Sequence, residues 1–185
     1  MPSVLVPLAP GFEELEAITI IDLLRRAGIE VVSAGLHPGP VRASRATVHI
    51  PDTDLDTALS REYDMVVLPG GLPGADHLAQ DARVITLLQH MAGSGRFTAA
   101  VCAAPKVLAE AGLLAGKRAT AYPGVLEPLR LTNTTLVNAP VVRDGQVITS
   151  RGPGTAMDFA LTLVELLTNT ATRKRVEAGL QRPGV

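Results

Sequence analysis

Apolar positions along this chain recur with two different periods. Near-continuous apolar runs at SVLVPL (3–8), IEVVSAGL (29–36), YDMVVLPGG (63–71) and RFTAAVC (96–102) read as buried strands. Between and after them the spacing becomes helical, at EELEAITIIDLLRRAG (13–28, closed by Gly28), DHLAQDARVITLLQHMAGSG (76–95, broken near Asp81) and APKVLAEAGLLAG (104–116). GTAMDFALTLVELL (154–167) predicts a further amphipathic helix and ATRKRVEAGL (171–180) a surface helix. ATVHI (46–50), RATAY (118–122) and TTLVNAP (134–140) are short strand candidates, PDTD (51–54) a turn, and VVRDGQVITS (141–150) a hairpin on an Asp-Gly turn.

Repeated strand–helix–strand units with Val/Ile/Leu-rich strands require a sheet covered on both faces. The predicted fold is α/β: a flavodoxin-like, doubly wound, mostly parallel sheet sandwiched by helices, as one domain over 1–185. Ligands of such sheets bind beyond the carboxyl ends of the strands. Three of those ends carry PLAPGFEE, VVLPGG and AAVCAAP.

Composition narrows the class. Lys plus Arg total 17 against 18 for Asp plus Glu, and there is no Trp, so no dedicated nucleic-acid surface is expected. No apolar run approaches the roughly 20 residues that span a bilayer. The N-terminal MPSVLVPLAP lacks the basic and long apolar regions of an export signal. Cys102 is the single cysteine and has no internal disulfide partner, which suits a reducing cytoplasm.

Cys102 stands where a strand pattern turns abruptly into a helical one. Two readings are open: a small buried hydrophobe, or a nucleophile on an elbow-type strand–Cys–helix turn. Ala99, Ala100, Ala103 and Ala104 supply the small neighbours that a tight elbow needs. A helix starting just after the sulfur predicts a lowered thiol pKa and a reactive thiolate. Among Glu13, Glu14 and Glu16, helical spacing puts Glu16 on the face of Ile20, Leu23 and Ala27. Glu13 leans the same way but lies near the helix start, so periodicity leaves both as candidates for a buried, proton-holding carboxyl. The LPGGLPG stretch (68–74) is no nucleotide loop. N–H groups around Gly70 and Gly71 suit an oxyanion, and a tight turn explains the glycines equally well. His37, His49, His77 and His90 lack metal-ligand spacing and are read as structural or surface residues, with no metal. SRGPGT (150–155) reads as a stiff turn rather than an anion site.

PGFEELEA, YDMVVLPGG, AAVCAAP and SRGPGTAMDFAL, in this order and spacing, resemble the ThiJ/PfpI superfamily. The similarity is greatest to its branch of the Parkinsonism-associated protein deglycase and bacterial YajL. The resemblance implies a reactive, oxidisable Cys102, an elbow-contacting Glu16, oxyanion donors at Gly71 and Ala103, and no cofactor. It implies a homodimer, with Asp22, Arg26, Arg45 and the turn at Pro153 near the interface. The implied activity is of glyoxalase or deglycase type, on a small aldehyde such as methylglyoxal or on glycated protein or nucleotide. Redox sensing or chaperone action is the alternative. Two departures stand out: Ala103 replaces the histidine of the intracellular-protease branch, which argues against protease activity. Tyr122 replaces a histidine of human-type members, leaving proton transfer to Glu16 and giving Tyr122 a substrate-contact or wall role.

Overall fold

The computed structural model describes residues 1–183. Its first half runs β1 (Ser3–Leu8), α1 (Glu14–Arg26), β2 (Glu30–Gly35), β3 (Val41–Arg42), β4 (Val48–His49), β5 (Thr53–Asp54), α2 (Leu55–Ala58), β6 (Met65–Leu68), α3 (Gly74–Gln80) and α4 (Ala82–Gly93). The second half runs β7 (Phe97–Val101), α5 (Pro105–Glu110), β8 (Arg118–Ala119), β9 (Thr135–Leu136), β10 (Val141–Asp144), β11 (Val147–Ser150), a 3-10 turn (Pro153–Thr155), α6 (Ala156–Leu167) and α7 (Thr170–Gly179).

Seven strands form the main sheet in the order β10-β11-β7-β6-β1-β2-β5. All neighbours are parallel except β10, which folds back antiparallel on β11 through the expected Asp144-Gly145 turn. Side chains alternate across the sheet, so β1 feeds two cores. Val4, Val6 and Leu8 pack with Ile20 and Leu24 of α1, Phe159 and Leu163 of α6, and Val176 of α7. Leu5 faces the other way, with Val66, Leu68, Leu88, Met91, Val107 and Leu108. Each fully buried Leu or Val contributes about 1.5–3 kcal/mol of transfer free energy. The periodicity is read correctly because both faces are dry.

The sheet is built outward from β1: β2 lies on one side, and the chain returns to place β6 on the other. This reversal makes the crevice at the carboxyl ends of β1 and β6 the expected site. The crevice is tightly filled by backbone. Gly11 has φ +85, and a Cβ there would lie 2.5 Å from Pro73 Cδ; one on Gly74 would lie 2.6 Å from the Phe12 nitrogen.

Several short elements differ from expectation. Thr53–Asp54, expected as part of a turn, is an edge strand beside β2, and Asp54 caps the short α2 by accepting from the Thr57 N–H. Two- and four-residue elements carry too little periodicity to be read. The helix expected over 104–116 ends at Glu110, with Gly112 at φ +79 in the left-handed turn that follows. ATVHI contributes only Val48 and His49, paired with β3, and RATAY and TTLVNAP only the two-residue β8 and β9.

Candidate active site

β7 ends at Val101 and α5 begins at Pro105, so the chain reverses within three residues. Cys102 takes up this reversal at φ 61, the left-handed region that non-glycine residues rarely occupy. Such strain, roughly 1–2 kcal/mol, persists where surrounding bonds over-determine it. Here the Cys102 N–H donates to the Ser150 carbonyl (3.0 Å), and its carbonyl accepts from the Tyr122 N–H (2.9 Å). The elbow is present, and small neighbours make it possible: Ala99, Ala100 and Ala104 are fully buried and Ala103 is 4% exposed.

Glu16 is wholly buried on α1, and its Oε2 accepts a 2.8 Å hydrogen bond from the Gly70 N–H. Oε1 is buried with no hydrogen-bond partner, and Cys102 and Glu13 are the side chains that act on this carboxyl. Burial dominates and pushes Glu16 up to about 7 despite the Gly70 N–H. Glu13, the other candidate from periodicity, is instead the helix cap. Its Oε2 accepts from the Glu16 N–H at 2.7 Å and leaves the buried position to Glu16.

The thiol departs from expectation. A helix start beside the sulfur predicts a lowered pKa, whereas burial and the adjacent Glu16 push Cys102 up to about 12. The N–H groups of Gly71 and Ala103 bond toward the sulfur and oppose this rise without cancelling it. Against that burial α5 offers little, since it has six residues and begins with a proline that has no N–H. Cys102 is 8% exposed, so the group is a shielded thiol beside a carboxyl that titrates near neutrality.

Gly70 and Gly71 are required by close approach. A Cβ on Gly70 would lie 2.6 Å from Cys102 Cβ, and one on Gly71, at φ +86, 2.4 Å from the Glu13 nitrogen. The glycines therefore let the β6 turn press against both the cysteine and the start of α1. Tyr122 has an exposed ring packed over Gly152, where an added Cβ would lie 3.3 Å from its Cδ2. SRGPGT is a turn, as expected: Thr155 Oγ1 bonds the Gly152 N–H (3.1 Å) and Ser150 Oγ (2.7 Å). No group of three metal-ligating side chains occurs among the described residues.

The residues expected at an interface belong to three separate segments. Asp22 and Arg26 form an exposed ion pair (2.8 Å), the exposed Arg45 donates its N–H to Glu14, and Pro153 opens the 3-10 turn. Glu14 contributes what the sequence reading missed. It gathers Ser44 Oγ, the Arg45 N–H and Thr47 Oγ1 at 3.0 Å each and ties the β3–β4 hairpin to α1. Burial works against its ionisation but is outweighed by these bonds and its own N–H, which hold it at about 2. Its distance of about 30 residues from its partners leaves no local sequence signal.

Comparisons with known proteins identify the family. The model of the DJ-1/PfpI family matches residues 2–166. The chain is 46% identical over 180 residues to protein dj-1beta of Drosophila melanogaster, covering 96% of each. It is 36% identical to a Caenorhabditis elegans protein named glutathione-independent glyoxalase DJR-1.2, covering 89% of this chain and 88% of that one. The oxidized Toxoplasma gondii DJ-1 structure superposes with a TM-score of 0.94 at 37% identity, over 99% of this chain and 100% of that one. A matching family model, near full-length relatives and the flavodoxin-like sheet agree that this chain belongs to the DJ-1/PfpI family.

Proposed function

We propose that this chain is a cofactor-independent cysteine enzyme acting on 2-oxoaldehydes such as methylglyoxal, or on their early adducts. The observation that carries the reading is the buried Glu16 carboxyl beside Cys102, with one oxygen held by the Gly70 N–H and the other unpartnered. A carboxyl poised at about 7 accepts and returns protons at neutral pH. The relative named a glyoxalase supports the same chemistry.

Glu16, as carboxylate, takes the Cys102 proton while Sγ bonds the aldehyde carbon, giving a hemithioacetal. The N–H groups of Gly71 and Ala103 stabilise the oxygen as charge develops on it. Glu16 returns the thiol proton to that oxygen and, as carboxylate again, moves the C1 proton to C2 through an enediol, yielding a 2-hydroxy thioester. Water releases the 2-hydroxy acid and restores the thiol, so methylglyoxal plus water becomes lactate with no external oxidant or reductant. Tyr122 lines the approach and donates from its phenol to the substrate.

Cys102→Ser is expected to abolish lactate formation, and Glu16→Gln to lower kcat at least 100-fold with an unchanged circular dichroism spectrum. Wild-type turnover by purified Cys102→Ser sinks the mechanism. A redox-sensing or chaperone reading has one specific support, the capacity of protonated Glu16 to donate to an oxidised Cys102 sulfur. Mild peroxide that adds oxygen to Cys102 and changes client binding, with negligible methylglyoxal turnover, favours that reading over the enzyme.

We further propose a homodimer formed by α1 and the β3–β4 hairpin. Leu15 and Ile18 are 53% and 43% exposed, Val48 and Ile50 are 55% and 85% exposed, and the Glu14 clamp holds the two elements together. Asp22, Arg26 and Arg45 supply polar contacts around this apolar face, and the turn at Pro153 approaches the partner.

A further inference from the structure

A cavity of about 200 Å³ is lined by the residues on either side of Tyr122, and the aldehyde chemistry leaves it without a role. Its walls include Ala121 and Pro123, which flank Tyr122, and Arg151, which precedes Gly152 beneath the Tyr122 ring. The Tyr122 N–H is bonded to the Cys102 carbonyl, so the segment that supplies two of the cavity's walls is tied to the elbow by a hydrogen bond.

The cavity carries one cation and one anion that do not pair with each other. Among the described residues, the Arg151 side chain bonds only Asn138 Oδ1, and Glu127 accepts only the Gly124 N–H, at 3.0 Å. Neither forms an ion pair. Leu126, 2% exposed, adds an apolar wall.

We propose that this cavity is a subsite for a zwitterionic α-amino acid head, its carboxylate on Arg151 and its ammonium on Glu127. A simple carboxylate satisfies Arg151 but is repelled by Glu127, and a simple amine meets the reverse problem. A ligand bearing both charges satisfies both groups, and guanidinium–carboxylate contacts are among the stronger hydrogen bonds. The volume is below the roughly 300–1,000 Å³ typical of drug-sized ligands, which selects a molecule of amino-acid size. On the proposed aldehyde chemistry, on which this substrate assignment rests, the preferred substrate is an amino acid that carries the aldehyde adduct on its side chain, which leaves its α-ammonium and α-carboxylate free. Its zwitterionic head occupies the cavity while its former carbonyl carbon faces Cys102.

The test is calorimetric titration of the full chain with L-alanine, L-lactate and L-alaninamide. Saturable one-to-one binding of L-alanine is expected, at least tenfold tighter than either singly charged analogue. Arg151→Gln and Glu127→Gln each weaken it at least tenfold, and Cys102→Ser binds L-alanine as the parent does. Absence of saturable binding, equal binding of L-lactate, or indifference to both substitutions overturns the subsite. Methylglyoxal turnover by the unmodified chain is measured alongside. Turnover without L-alanine binding overturns the subsite and leaves the chemistry standing; L-alanine binding without turnover overturns the adduct assignment through failure of the chemistry.

Discussion

A carboxyl inside a protein is tolerated when it keeps its proton, and Glu16 meets that condition by titrating at about 7 rather than 4.5. The raised value has a stability consequence of definite sign. Below about 4.5 the group is protonated in folded and unfolded chains alike, and its protonated form is at home in the core. As pH rises from about 4.5 to about 7, the unfolded chain releases this proton more readily than the folded one, so stability falls. At about 1.4 kcal/mol per pKa unit, the loss is on the order of 3 kcal/mol. Glu16→Gln is expected to flatten this decline, so urea midpoints of the variant and its parent differ more at pH 8 than at pH 5. Equal pH dependence in both proteins contradicts the buried-proton account. This residue was half legible: the 3.6-residue period put Glu16 on an apolar face but left Glu13 beside it, because helix caps lie outside the period. The sign of the Cys102 shift was not legible, since it depends on burial and on how few free N–H groups α5 offers.

Elements position the site through close backbone contact. The β6 turn touches α1 through the Glu13 N–H to Gly70 carbonyl bond (2.9 Å), and touches the β7 elbow where Gly70 meets Cys102. Gly70→Ala is therefore expected to displace the elbow, lowering turnover at least 100-fold and destabilising the chain by about 1–3 kcal/mol. Normal turnover by this variant contradicts the tight-packing argument. The long elements were legible because two dry faces make the strands near-continuously apolar, and one dry face imposes 3.6 on α1 and α6. β3, β5 and α2 were not, because the structure of two to four residues is decided by distant neighbours.

At the scale of the whole molecule, the exposed apolar residues of α1 and the β3–β4 hairpin predict self-association. Leu15→Glu combined with Ile18→Glu is expected to shift sedimentation from dimer to monomer, and an unchanged dimer relocates the interface. In the single chain Asp22 and Arg26 pair with each other on a solvated helix face. The Glu14 clamp has a further effect on this assembly. Two carboxylates two residues apart on one helix titrate at about 2 and about 7. At pH 4 to 5 the inner one is neutral and idle, while the outer one still fastens the hairpin. Mild acid should therefore make the protein dormant rather than denatured: activity absent at pH 4.5 returns at once on neutralisation, with no refolding lag.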